Sequence, residues 1–225
     1  EYRPATPRGD ICPEHASQPS DQPRDSRKLP GIESKPKGTK DGAGGDGRVS
    51  GTGGGAPTIR LANHHDDEAF ADFMNAIRSE RLPGLYLRAE EFSVETVSRI
   101  IDERTGSPKS ILLLAEHSGE LVGILDTEQH RLPAQAHSAR CNILVARTHR
   151  GRGVGAALLA DLILRIEEAR QIRRLEAEVL ASNVVSLRLC ARFGFVEEGR
   201  KRDAVLIGGA YVDNILLGRL WPDVA

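Results

Sequence analysis

Residues Cys141 to Asp161, reading CNILVARTHRGRGVGAALLAD, decide how the rest of the chain is read. A short apolar run, Asn142 to Val145, leads into a basic Gly-rich turn, Arg150-Gly151-Arg152-Gly153-Val154-Gly155, and a helical pattern begins at Val154. The apolar positions Val154, Ala157, Leu158, Leu162 and Ile166 recur at three- and four-residue steps, with Asp161 and Arg165 on the other face. The order is strand, turn, helix. Such a turn leaves backbone N–H groups free at the positive end of a helix dipole, and glycines there remove the side chains that would keep an anion away. Arg150 and Arg152 add full positive charges beside those amides. A phosphate group is expected to dock here.

The turn, as Arg150-x-x-Gly153-x-Gly155, resembles the acetyl-CoA pyrophosphate loop of the GNAT N-acetyltransferase superfamily, whose shared pattern is Gln/Arg-x-x-Gly-x-Gly/Ala. Downstream, Asn183-Val-Val-Ser186-Leu-Arg-Leu189-Cys190-Ala-Arg-Phe193-Gly194-Phe195 resembles the family's Asn-x-x-Ala/Ser-x-x-Leu-Tyr-x-x-x-Gly-Phe segment. A third piece, Glu198-Gly199-Arg200, Asp203 and Gly208 to Asp213, is similar to the C-terminal strand pair of the branch containing ribosomal-protein, polyamine and phosphinothricin acetyltransferases. The resemblance covers about residues 57 to 220.

Composition narrows the alternatives. The net charge of −1 gives no overall pull toward nucleic acid or an anionic membrane, and neither is expected as a partner. Cys12, Cys141 and Cys190 are an odd, scattered set, which argues against a disulfide framework and fits a reducing cytoplasm. No apolar run approaches the ~20 residues of a bilayer span, and the front lacks the charged-then-apolar pattern of a secretory signal. The chain opens on Glu1 rather than Met, as a fragment or an unverified start would.

Residues 1–56 read as a disordered Gly/Pro-rich tail and residues 57–225 as the domain. Eight of the twelve prolines precede Thr58, and large apolar residues are few there, so ordering that stretch would bury too little surface to offset its entropy. Gly42-Ala43-Gly44-Gly45-Asp46-Gly47 matches G-x-G-x-x-G but has neither a strand before it nor a helix after it, so it reads as linker. His64-His65-Asp66-Asp67-Glu68 lacks the further ligands of a zinc site and reads as a helix start, and no metal is expected.

Within the domain the patterns give a strand at Thr58–Ala62, helices at Ala69–Arg78 and Glu90–Arg104 with Ser93 as a cap, and a hairpin of Ser110–Glu116 with Glu120–Glu128. His137–Val145 feeds the turn. A long helix, a strand at Arg174–Leu180, a helix at Val184–Phe193 and two strands, Phe195–Arg202 and Tyr211–Leu220, complete the order. The expectation is a single α/β domain with a central mixed sheet of about six to seven strands and helices on both faces, the order that the resemblance also implies.

The resemblance implies an acetyl-CoA-dependent N-acetyltransferase that acts on a primary amine, of a small molecule or a protein N terminus, by direct attack in a ternary complex. A non-catalytic acyl-CoA-binding module of the same fold is the alternative, and a monomer or homodimer is expected. By carry-over, Leu144 and Val145 present main-chain groups to the pantetheine arm, and the Val145 N–H supports the thioester carbonyl. Arg150, Gly151, Arg152, Gly153, Val154 and Gly155 hold the pyrophosphate, and Asn183 and Ser186 contact the arm. Asn183 also suits a helix cap. Cys190 stands where many members have a proton-donating tyrosine; a thiol near its reference pKa of about 8.5 would suit a general acid, whereas a buried cysteine would simply pack. Glu178, His137 and Glu116 are the candidate bases, and the sequence does not choose among them.

Overall fold

The computed structural model of the protein describes residues 55–81, 90–107, 110–130 and 132–222. The Gly42–Gly47 stretch, nearly all of the expected tail and the Leu82-Pro83-Gly84 break lie outside the described residues. Among the described residues, seven strands form one sheet: β1 (Thr58–Leu61), β2 (Leu112–His117), β3 (Glu120–Gln129), β4 (Ser138–Val145), β5 (Arg174–Leu180), β6 (Val196–Ile207) and β7 (Ala210–Leu220), in the order β1-β2-β3-β4-β5-β7-β6. Four α-helices join them: α1 (Asp67–Ser79), α2 (Val94–Thr105), α3 (Val154–Ala169) and α4 (Val184–Arg192). This is the expected mixed α/β order.

The sheet separates two apolar layers. On one face α1 and α2 contribute Phe70, Phe73, Ile77, Val97 and Ile101 against Leu112, Leu114 and Ile124. On the other, α3 lays Leu158, Leu162 and Ile166, all essentially without exposure, on Leu113, Leu125, Ala139 and Leu175. Burying each such side chain contributes on the order of 2 kcal/mol. The alternation of β2 and β3 between the layers explains why both read as apolar throughout. Ser93 caps α2 as expected, its side chain accepting the Thr96 N–H.

Two expectations change. The sixth strand runs on to Ile207 rather than stopping at Arg202, because register shifts at Glu197/Gly199 and Lys201/Val205 absorb the extra residues before the turn at Gly208 and Gly209. Asp66 does precede α1, but its side chain does not cap the helix. It accepts the Asn63 N–H at 2.7 Å and pairs with Arg60, whose guanidinium also reaches Glu116. The buried Asp66 therefore ties the end of β1 to the entry of α1.

The Arg60 hydrogen bonds hold the Asp66 carboxyl below the ordinary carboxylate range. A depressed folded pKa means that the unfolded chain takes up the proton first on acidification. Asp66 thus stabilises the fold above its unfolded pKa of about 3.9, and this contribution is lost as pH falls through the folded value. Asp66→Asn is expected to lower Tm at pH 7 by several degrees, and by less as the pH drops below about 4, in thermal unfolding followed by circular dichroism.

Candidate active site

β4 and β5 are parallel but pair only from Ser138↔Arg174 to Arg140↔Glu176. Beyond Arg140, β4 keeps its pairing with β3 as far as Val145, and β5 keeps its pairing with β7 as far as Leu180. The two strands part at this point and leave a gap between facing edges. Hydrogen-bonding direction alternates along a strand, and three bonds set the phase. His130 N–H donates to Ser138 O and Ala146 N–H to Val122 O, so even-numbered residues of β4 face β3. Arg173 N–H donates to His137 O, so the odd-numbered residues face β5. Ile143 and Val145 therefore turn their main-chain groups into the gap, whereas the Leu144 carbonyl lies against Gly123 of β3. The Leu144 peptide, expected at the gap, is thus bonded into the sheet, and Ile143 stands with Val145 on the gap edge.

At the end of the gap stands the Gly-rich turn. Gly151 and Gly153 have φ of 72° and 85°, and a Cβ built on either would meet no atom within 4 Å. Gly153 is the N-cap of α3 without a side-chain cap, and the first helical bond runs from Ala157 N–H to Gly153 O. Among the described residues, the amides of Gly151 to Ala156 donate to no protein acceptor. The cradle is thus bare of side chains and lined with open donors, as a phosphate requires. Val154 is buried and pins the turn against β3, where a Cβ on Gly123 would stand 2.9 Å from Val154 Cγ1 and 3.2 Å from Leu158 Cδ1.

The two arginines part company. Arg152 is exposed and bonds to no protein group among the described residues. Arg150, expected to flank the phosphate, instead turns back: its Nε donates to Val145 O at 2.9 Å and its Nη2 to Glu80 Oε2 at 2.5 Å.

α4 starts beside the same gap. Asn183 caps it, Oδ1 accepting the Ser186 N–H at 3.1 Å, which commits one half of the side-chain amide. Leu189 approaches Gly155, where an added Cβ would lie 3.4 Å from Leu189 Cδ2, so α4 and the start of α3 pack directly together. Cys190 is buried in the same layer as Cys141. Burial pushes its thiol up to about 11, above the reference of about 8.5.

The candidate bases separate clearly. His137 precedes β4 at the end remote from the turn, eight residues or roughly 26 Å of strand from Val145. Glu116 is held by Arg60. Glu178 lies two residues past the last β4–β5 pair, where the strands part. Its Oε1 accepts from Asn214 Nδ2 at 2.6 Å and its Oε2 from Lys201 Nζ at 2.8 Å. Burial pushes this carboxyl up, but the Lys201 and Asn214 hydrogen bonds outweigh it and hold the pKa below the ordinary value. The neighbouring Asn214 Oδ1 is buried with no hydrogen-bond partner among the described residues. Among the described residues no helix is long and apolar enough to cross a membrane.

Comparison with known proteins finds relatives of this chain. The family model described as an acetyltransferase (GNAT) domain matches residues 59–216. An L-amino acid N-acetyltransferase of Escherichia coli (strain K12) is 29% identical over 108 residues, covering 48% of this chain and 67% of that protein. A ribosomal-protein-alanine N-acetyltransferase from Brucella melitensis superposes with a TM-score of 0.65 at 25% identity, over 73% of this chain and 99% of that one. An acetyltransferase structure from Salmonella typhimurium, solved with acetyl-CoA, shares the fold with a TM-score of 0.67 at 18% identity, over 75% and 96% of the two chains.

The contact at Gly123 is open to test. Gly123→Val overfills the space under Val154 and Leu158, and should cost about 1–3 kcal/mol of stability. It should also weaken inorganic pyrophosphate binding at the turn, because α3 must lift at its first residue. Thermal unfolding and calorimetric titration measure the two effects.

Proposed function

Because the chain belongs to the GNAT acetyltransferase family, we propose that it transfers an acetyl group from acetyl-CoA to a primary amine, of a small molecule or a protein N terminus, by direct attack with both substrates bound. The observation that carries this reading is the junction of two sets of open donors: the amides of Gly151 to Gly155 and the gap-facing edge of Ile143 and Val145. A diphosphate fits the first, and an extended amide-bearing arm fits the second as an added strand would.

Acetyl-CoA supplies the activated acetyl thioester. The bare turn and Arg152 hold its diphosphate, with Gly153 leaving the room and Val154 fixing the helix start. Ile143 and Val145 align the arm, and the Val145 N–H is the donor offered to the carbonyl on which negative charge develops. Asn183, through the half of its amide not used in capping, and Ser186 flank the arm from α4. Cys190 keeps its proton throughout the neutral range, and its place in the apolar layer makes it a packing residue.

Glu178 receives the amine. Its carboxylate is an acceptor beside the parting of the strands, oriented by Asn214 and Lys201, which suits an ammonium group that must be bound and then lose a proton. A carboxylate with a lowered pKa is ionised at neutral pH and is a weak base, so it passes the ammonium proton on to water, and the departing CoA thiolate takes its proton from water. The acid limb of kcat/KM near neutrality is then set by the amine, while the limb of Glu178 lies below the ordinary carboxylate range.

Release of free CoA on incubation with acetyl-CoA and a panel of amino acids, polyamines and peptide N termini tests the activity. Silence across the panel together with no CoA binding by calorimetry overturns it. Gly153→Glu is expected to abolish CoA binding, since it places bulk and negative charge in the cradle, while the fold persists. Glu178→Gln should retain CoA affinity and lose about 10²-fold or more in kcat/KM for the amine.

A further inference from the structure

Arg150 touches both the gap edge and the far layer of the protein. Its Nε holds Val145 O, and Val145 is the last residue of β4 to face the gap. Its Nη2 holds Glu80, which follows α1 on the opposite side of the sheet from α3. The pair is well shielded at the acidic end, with the Glu80 side chain only 17% exposed. A guanidinium that spends its fork on a carbonyl and a carboxylate is neutralised by the latter and oriented by both. It therefore has little charge left to offer a diphosphate, whereas Arg152 carries no such partner among the described residues.

We propose that Glu80 is a positioning residue for the acetyl donor: it anchors Arg150 on the Val145 carbonyl and so sets the gap edge along which the pantetheine arm lies. The inference rests on the acetyl-CoA reading above and adds to it a residue seventy positions upstream of Arg150. Without the carboxylate, the guanidinium is released from Val145 to solvent and the end of β4 loses its tether. Arg150 then acts on the arm and not on the diphosphate, which separates it in kind from Arg152.

The test uses two donors that share the arm and the thioester, acetyl-CoA and S-acetylpantetheine, the second lacking the diphosphate. Steady-state KM and kcat are measured for the full chain and for Glu80→Gln, Glu80→Asp, Arg150→Gln, Arg150→Lys and the Glu80→Gln/Arg150→Gln double variant, each checked by thermal unfolding. Glu80→Gln and Arg150→Gln should each raise KM by about tenfold, the worth of a charged hydrogen bond, and by the same factor for both donors. The double variant should be no worse than the weaker single one, because both act through one tether. Arg150→Lys should not rescue, since a point charge cannot serve the carbonyl and the carboxylate together. Glu80→Asp, one methylene short, keeps the question open to measurement if the glutamine variant does not fold. A lower KM for acetyl-CoA in Glu80→Gln, which would mean that the freed arginine serves the diphosphate, overturns the proposal. So does a rise confined to acetyl-CoA, or unchanged KM for both donors. Failure of the unsubstituted chain to bind CoA or turn over either donor would instead remove the acetyl-CoA reading itself.

Discussion

Everything at the site follows from a ladder that stops early. β4 and β5 share hydrogen bonds up to Arg140 and Glu176 and then separate, although each continues to pair on its other side. Unpaired peptide groups are costly where water is excluded, so a gap between two strand edges is held open only by structure around it. The outer pairings supply that support: β3 steadies β4, and β7 steadies β5. The gap is consequently a built feature of the sheet, and the residues that face it are decided by strand parity.

Packing carries the same feature to the turn. α3 begins where β4 ends, and it is pressed onto β3 at Gly123 because no side chain stands between them. Val154 fills that space, which fixes the orientation of the amides just before and after it. On the other side Leu189 of α4 closes on Gly155. The glycines of the motif thus do two kinds of work. Gly151 and Gly153 take left-handed φ values in open space, whereas Gly155 permits a close approach between helices.

How much of this could be read from the chain depends on the range of the interaction. The element order was legible, since the three- and four-step pattern of α3, the apolar runs of β2 and β3 and the Gly208-Gly209 turn are all local signals. The turn itself was legible for the same reason. Parity was not: whether Leu144 or Ile143 faces the gap depends on the pairing of Gly123 with Val145, which no local pattern contains. The same holds for Glu80 on Arg150, for Lys201 and Asn214 around Glu178, and for Gly123 beneath Val154. The Cys190 thiol was read at its reference acidity, and burial moved it. Each departure is a contact between residues far apart in sequence, and each lies at or beside the site, where local preference and tertiary demand part most readily.

The most direct test is amide hydrogen exchange, resolved residue by residue by NMR, with and without CoA. The account predicts that in the free protein the amides of Ile143, Val145 and Gly151 to Gly155 exchange fast while Leu144, bonded into the sheet, exchanges slowly. CoA should slow the first group by at least about tenfold and leave Leu144 as it was. Protection of Ile143 and Val145 already complete in the free protein, or no change at these amides when CoA binds, would contradict it.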